Sequence, residues 1–309
     1  MSGSLLDEDL TRAFDQIPVL SGHPRTVREL AGGLTNRNIH VSTPHGEFVA
    51  RCTNAGADKL GIDRQAEYAN SVAAHRAGVG APVIDFRPDL GILVIGFLAG
   101  RTFHREDLSI PGNLARIAAA CRELHAGPRF VSDFNMFSLQ RTYLETAMQG
   151  GYRIPPGYLD LADRFEEIGR ALSVLDDGTV PCNNDLLAEN FVDDGEKIWI
   201  IDYEYSGNND ACFELGDIWA ESALTLDQLD ELVTAYYGAS RTSKIARARL
   251  LGAVGQYGWT LWGAIQNAVS PLDFDFWTWT LEHLEFAERE FRGPDIDRLL
   301  IDVQTPDPR

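Results

Sequence analysis

The sequence predicts an α+β fold, in which a small β-rich N-terminal part precedes a larger and mostly helical part. Three observations support this prediction. Short apolar runs separated by glycine turns occupy much of the first hundred residues. Amphipathic helical spacing begins near residue 110 and continues almost to the end of the chain. A strand signal returns between residues 189 and 205, so one short hairpin is embedded in the helical part.

The N-terminal elements follow from turns and apolar periodicity. Residues 26–53 hold three short apolar runs, divided by a glycine pair at Gly32 and Gly33 and by a hairpin turn at residues 44–46, which predicts three strands. Residues 62–78 have helical spacing and stop at a glycine, as helices often do. The apolar run GILVIGFLAG, residues 91–100, predicts a buried strand.

The helical part begins with the amphipathic stretch NLARIAAACRELHAG, and YLDLADRFEEIGRALSVL predicts a second helix. The runs ENFVDD and KIWIIDYEY, joined by the turn DDGE, predict the embedded hairpin. After residue 213 almost every segment has helical spacing. We therefore expect an N-terminal nucleotide-binding lobe over residues 1–98 and a C-terminal catalytic and acceptor-binding lobe over residues 99–309.

Composition limits the classes of partner. The chain has 46 acidic and 27 basic side chains, a net charge of −19 that repels nucleic acid and anionic membranes and mildly favours a cationic ligand. Considered in isolation, the net charge is better explained by solubility alone. The longest apolar run is too short to span a bilayer, no secretory signal is visible, and the four cysteines lack CxxC pairing. We expect a cytoplasmic protein with reduced thiols that neither binds nucleic acid nor inserts into membranes.

Three polar residues around the embedded hairpin suggest phosphoryl transfer. Asn190 and Asp202 lie on the two arms of the hairpin and offer hard oxygen ligands, which suits Mg²⁺. Asp185 lies five residues before Asn190 and can accept or orient a substrate hydroxyl. Each residue alone is as easily a solvated loop residue. Together with further features upstream, the series becomes harder to obtain by chance.

Those upstream features are a glycine turn and a cation. The turn that contains Gly32, Gly33, Thr35 and Asn36 has unshielded backbone N–H groups that can approach phosphates closely. Arg51 follows at the end of a strand, and Glu67 lies on the next helix. We expect these two side chains to pair, so that the cation is held towards a nucleotide.

The stretches GGLTNRN, CNNDLLAENF and IIDYEYSGNNDACFELGDIWAE resemble the choline/ethanolamine kinases, within the kinase-like aminoglycoside phosphotransferases. The resemblance runs from about residue 28 to about residue 290. It implies a protein-kinase-like two-lobed fold with ATP between the lobes. It also implies the following roles: Asp185 as catalytic base, Asn190 and Asp202 as magnesium ligands, Arg51 as phosphate-contacting cation, Glu67 as its partner, and the backbone near Gly96 and Leu98 as the adenine contact.

The chain departs from the family pattern at Asn183, where the family usually has histidine two residues before the base. That histidine buttresses the catalytic loop through hydrogen bonds. An asparagine amide can also donate and accept, so we expect activity to survive. A non-catalytic, pseudokinase-type binding protein is the alternative that this departure favours.

Aromatic residues in the last hundred positions suggest an acceptor site. Trp259 and Trp262 lie three apart on one predicted helix face, and Phe274, Trp277 and Trp279 follow. Spacing alone allows either core packing or an aromatic box for a quaternary ammonium. The resemblance implies the box, built from Trp259, Trp262, Phe274 and Trp279 with Glu221, although another aromatic of the family pocket is replaced within SALTL.

The expected function is therefore an ATP- and Mg²⁺-dependent phosphotransferase that acts on the hydroxyl of a small amino alcohol, with choline favoured. Ethanolamine, an aminoglycoside or another amine-bearing alcohol remains open as the acceptor. The sequence does not predict the oligomeric state.

Overall fold

A five-stranded antiparallel sheet forms most of the N-terminal part in the computed structural model, which describes residues 8–30, 33–53 and 60–307. Its strand order is β1-β2-β3-β5-β4, so β5 inserts between β3 and β4. In chain order the strands are β1 (Thr26–Leu30), β2 (Asn36–Thr43), β3 (Gly46–Thr53), β4 (Val83–Arg87) and β5 (Ile92–Gly96).

Apolar side chains that alternate along the strands form one face of this sheet, and the N-terminal residues cover that face. Helix α1 (Glu8–Phe14) and the turns after it contribute Phe14, Ile17 and Leu20, which pack on apolar residues of β2, β3 and β5. Helix α2 (Arg64–Arg76) begins at Asp63, whose carboxylate accepts the first free backbone N–H groups of the helix. The three N-terminal strands and this helix are as the sequence predicts, whereas α1 and β4 were not predicted.

The rest of the chain is mostly helical and packs around one nearly buried helix. Helix α9 (Thr242–Val269) is 28 residues long and contacts α7 and α10 along its length. The backbones of α7 and α9 meet at Gly216 and Gly252, where an added Cβ on Gly216 would lie 2.1 Å from the oxygen of Ala248. The other helices are α3 (Arg105–Leu108), α4 (Asn113–His125), α5 (Met136–Gly150), α6 (Ala162–Leu172), α7 (Ala211–Glu221), α8 (Leu226–Tyr237), α10 (Phe276–Phe291) and α11 (Ile296–Asp302).

Short strands bring loop residues to the junction of the sheet and the helices. Strands β8 (Phe191–Asp193) and β9 (Ile198–Ile200) form the predicted hairpin, and β6 (Arg101–Thr102) pairs with β8. Strands β7 (Val180–Cys182) and β10 (Gly207–Asn209) form a separate antiparallel pair. Segment 183–190 connects β7 to β8, and segment 201–206 connects β9 to β10. Because β7 pairs with β10 and β8 pairs with β9, the two segments lie side by side.

We propose a lobe boundary between residues 98 and 99, because β5 ends just before this point and β6 already pairs with the hairpin of the helical part.

In the described part of the chain, no helix combines the length and apolar character needed to cross a bilayer.

Candidate active site

A cavity of about 870 Å³ lies between the N-terminal sheet and the helical part. Twelve of the fifteen residues that the sequence analysis selected line it: Gly33, Thr35, Arg51, Gly96, Leu98, Asp185, Asn190, Asp202, Glu221, Trp259, Trp262 and Trp279. The structure does not place Asn36, Glu67 and Phe274 in the lining. Gly32 lies outside the described residues.

Two acids of helix α7 hold the loop that carries Asp185. The carboxylate of Glu214 accepts the backbone N–H groups of Asn183 and Asn184, at 2.9 and 2.8 Å. Asp217 accepts the N–H of Leu186 at 2.7 Å. These bonds stabilise a turn in which Asn184 has a φ of 68°, a conformation that few non-glycine residues adopt. The loop is therefore held in this conformation by two buried carboxyl groups.

Asn183 ties this loop to the segment after the hairpin. Its Nδ2 donates to the carbonyl oxygens of Ile201 and Asp202, at 3.1 and 2.8 Å, and its Oδ1 accepts the N–H of Asp185 at 3.2 Å. The amide thus donates and accepts at once. The amide makes both kinds of hydrogen bond, as the sequence analysis expects, and the survival of activity stays a prediction.

Asp185, Asn190 and Asp202 face the same cavity. The Nδ2 of Asn190 donates to the carbonyl oxygen of Asp185 at 2.7 Å, which turns the two residues towards one another. Burial raises the pKa of Asp185 well above its usual range, and the charges of Asp202 and Glu221 raise it further. A carboxylate with a raised pKa is a stronger proton acceptor than an ordinary aspartate.

Arg51 is the centre of a buried ion-pair network. Its Nε lies 3.1 Å from Oε1 of Glu67, which confirms the predicted pair, and its Nη2 binds Asp202, a contact that the sequence did not predict. Arg64 extends the network, because its Nη1 lies 2.6 Å from Oε2 of Glu67 and 3.2 Å from Oε2 of Glu204. Burial opposes the charge of Arg51, but its acidic partners outweigh burial and raise its pKa.

The glycine turn is bonded to the helical part. Thr35 Oγ1 donates to Oε1 of Glu204 at 2.6 Å, and Asn36 Nδ2 donates to its Oε2 at 2.8 Å. Gly33 has a φ of 99°, and a Cβ there would lie 2.8 Å from the carbonyl oxygen of Asn36, so only glycine fits without a shift. Burial, together with the charge of Asp202, raises the pKa of Glu204 to about 7.

Three tryptophans and Tyr205 contribute aromatic rings to the lining of the cavity. Trp262 Nε1 donates to the Tyr205 hydroxyl at 2.7 Å, and the rings of Trp262 and Trp279 are 5.1 Å apart. The Tyr205 ring meets Trp259 edge to face at 5.0 Å. Tyr205 was not predicted as a site residue, although its position three residues after Asp202 was a usable signal. Phe274 is 43% exposed and packs on Phe276 instead.

A second buried group near the catalytic loop has a structural role. His125, Cys182 and Glu214 place possible metal-ligand atoms within 4.8 Å of one another. Both Glu214 oxygens already accept backbone N–H groups, so the carboxylate is used to hold the loop. His125 is itself held in place, because its Nδ1 lies 2.7 Å from the hydroxyl of Tyr236.

The fold is that of the protein-kinase-like phosphotransferases, as the sequence predicts. The aminoglycoside phosphotransferase APH(4)-Ia is 14% identical and superposes with a TM-score of 0.63, over 93% of this chain and 99% of its own. Within that class, the chain belongs to the choline/ethanolamine kinase family, whose sequence model matches residues 27–237.

Individual relatives agree with this assignment. A choline/ethanolamine kinase family protein from Mesorhizobium loti is 32% identical, with a TM-score of 0.84 over 96% of this chain and 98% of its own. Protein LicA of Haemophilus influenzae is 29% identical over 214 residues, which cover 66% of this chain and 61% of LicA. The chain thus matches less than two thirds of the length of that relative.

Proposed function

We propose that the protein transfers the terminal phosphoryl group of ATP to the hydroxyl of choline. One observation carries the proposal: Asp185, Asn190 and Asp202 line the same cavity as Glu221 and the tryptophans. A phosphoryl-transfer constellation and a cation-binding wall therefore lie within reach of one bound molecule. Membership of the choline/ethanolamine kinase family supports this combination.

The acceptor end favours a quaternary ammonium group. Trimethylammonium cannot donate classical N–H hydrogen bonds, so it is attracted by the faces of aromatic rings and by a nearby carboxylate. Trp259, Trp262 and Trp279 supply rings, and Glu221 supplies the charge. A primary ammonium, as in ethanolamine, needs hydrogen-bond acceptors instead, which this wall offers mainly through Glu221.

Asn190 and Asp202 fit a Mg²⁺ ion by the chemistry of their donors. Mg²⁺ prefers carboxylate and amide oxygens, and it keeps several waters alongside the few protein ligands it takes. The Nδ2 of Asn190 is engaged by the Asp185 carbonyl, so its amide oxygen is the atom that remains for a metal. When bound, Mg²⁺ would offset the negative charge of the ATP phosphates.

The remaining residues position ATP and the hydroxyl. The glycine turn at Gly33 lets backbone N–H groups approach phosphates, and Arg51 adds positive charge. The N–H groups of Gly96 and Phe97 already donate to Pro82 and Glu47, so we place the adenine contact at Leu98. Asp185 accepts the hydroxyl proton as the choline oxygen attacks the terminal phosphorus and ADP leaves.

A coupled ADP-release assay tests this proposal. The enzyme is mixed with ATP and Mg²⁺, and choline, ethanolamine and an aminoglycoside are supplied in turn, with Asp185→Asn as the matched inactive control. We expect choline to give the highest kcat/KM. Turnover of ethanolamine with inert choline would refute the quaternary-ammonium assignment, and no ADP release with any acceptor would support a non-catalytic binding protein.

A further inference from the structure

A histidine that the proposed mechanism does not use contacts two residues that line the cavity, although it is not itself part of the lining. His283 lies on helix α10, one turn after Trp279, and only 7% of it is exposed. Its ring stacks on the Trp279 ring, with centroids 3.5 Å apart and an angle of 29° between the planes. Its Nε2 lies 3.3 Å from Oε1 of Glu221. His283 thus touches two of the groups assigned to the ammonium site.

The neighbours of the ring indicate its charge. Nδ1 lies 2.8 Å from the carbonyl oxygen of Trp279, and this oxygen can only accept a hydrogen bond. Nε2 faces a carboxylate, although the direction of approach is too oblique for a well-formed hydrogen bond. A neutral imidazole has one N–H and would turn a lone pair towards one of these two acceptors. An imidazolium has a proton for each, so both contacts become attractive.

The surroundings of Glu221 agree with this assignment. The same Oε1 also accepts a hydrogen bond from Gln256 of helix α9. Burial raises the pKa of Glu221, but the neighbouring His283 and Gln256 outweigh burial and hold the pKa below its usual value, with Arg105 adding to the effect. Glu221 therefore already contacts His283 and Gln256 when no acceptor is bound.

We propose that His283 is a built-in cation of the acceptor pocket, which competes with the ammonium group of the acceptor for Glu221 and for the Trp279 ring. The inference deepens the proposed function, because it assumes that a cation occupies this end of the cavity. An ammonium group in contact with Trp279 and Glu221 would lie within roughly 8 Å of the imidazole ring. Two positive charges at this distance oppose one another, so His283 limits affinity for cationic acceptors.

Proton linkage follows from the competition. A cation that binds more tightly to the pocket with neutral His283 must favour loss of the imidazole proton. The other charged groups that act on the pair are Arg105 from α3, Asp185 from the catalytic loop and Asp217 from α7. Glu282 and Glu285 lie on the exposed side of α10 itself. All of these groups are retained in the variant below, so a difference from the wild type isolates His283.

The test is a calorimetric measurement of the affinity for choline. It compares three proteins: the wild type, His283→Gln and His75→Gln. Glutamine keeps a donor towards Glu221 and removes the charge, while His75 is an exposed histidine of α2 and serves as the matched control. At mildly acidic pH we expect His283→Gln to bind choline on the order of three- to thirtyfold more tightly than the wild type. The gap should narrow as the pH rises, and His75→Gln should match the wild type.

The neutral isostere 3,3-dimethylbutan-1-ol separates charge from packing, because carbon replaces nitrogen in an otherwise similar shape. We expect its affinity to change less than twofold in His283→Gln. Equal or weaker choline binding by a folded variant, or an equal gain for the isostere, would overturn the proposal.

A second measurement needs no acceptor and so remains informative if choline is not the substrate. In ligand-free protein with labelled histidine, NMR at the mildly acidic pH of the binding experiment should show a proton on both ring nitrogens of His283. A neutral His283 ring would refute the inference while leaving the kinase proposal intact. Absence of ADP release with doubly protonated His283 would refute the kinase proposal alone.

Discussion

Replacing Trp262 by leucine removes one aromatic face from the acceptor pocket while keeping an apolar side chain in a buried position. Trp262 is 6% exposed, lines the cavity and donates its indole N–H to Tyr205. One ring face in a desolvated cation site contributes about 1–2 kcal/mol, which corresponds to a five- to thirtyfold rise in the KM for choline. We expect kcat to change little, because the residues proposed for phosphoryl transfer are all retained.

The assay is steady-state ADP release with choline and with 3,3-dimethylbutan-1-ol, together with thermal unfolding of each variant. Trp262→Phe should stay within about threefold of the wild type, since it keeps a ring face. Trp277→Leu is the matched control, because Trp277 stacks on Arg153 at 3.7 Å and does not line the cavity. An equal rise in KM for the cation and its neutral isostere would refute the cation–π reasoning, and unfolding of Trp262→Leu would show that its main role is core packing.

Three further predictions concern the catalytic loop, the metal and the hairpin. Asp185→Asn should lower kcat by about 10²–10⁴-fold and leave ATP affinity within twofold, measured by calorimetry; normal turnover would exclude Asp185 as the base. Asp202→Asn should weaken Mg²⁺-dependent ATP binding, and Asp194→Asn on the same hairpin should not; unchanged magnesium dependence would contradict the ligand assignment. Asp193→Asn should lower the free energy of unfolding by about 1 kcal/mol at neutral pH, because Asp193 pairs through both oxygens with Arg116. The Arg116 hydrogen bond holds the pKa of Asp193 below its usual value, so this stability is present above an ordinary carboxylate pKa and is lost as pH falls through the lowered one. Urea unfolding at several pH values measures it, and a cost that persists in acid would argue against the ion pair.

Helices and strands whose apolar residues recur with a clear period could be predicted from the sequence. The three N-terminal strands and the hairpin alternate or end at glycine turns, and the long helices carry apolar stripes. Helix α1 was missed because it is short and only Phe14 is fully buried. Strand β4 was missed because Asp85 interrupts its apolar run, at a point where its register with β5 shifts.

The site residues were predictable where they lie at the ends of recognisable elements in a fixed order, as Asp185, Asn190 and Asp202 do. The contacts between distant segments were not predictable, because spacing carries no information about them. Arg51 and Asp202 are 151 residues apart, and nothing in either local pattern predicts their pairing. The position of the Phe274 ring was not predictable either. The residue precedes helix α10, so helical spacing does not determine its direction, and the ring is largely exposed.

Identification of the product tests the central proposal most directly. Phosphorus NMR of the wild type with ATP, Mg²⁺ and choline follows the substrate and the product phosphorus in one sample, and Asp185→Asn is run beside it. We expect a phosphomonoester of choline to form in step with ADP in the wild type, and none to form in the variant. ADP formation without a choline phosphoester, or equal product from both proteins, would contradict the proposal that this cavity directs a choline hydroxyl onto ATP.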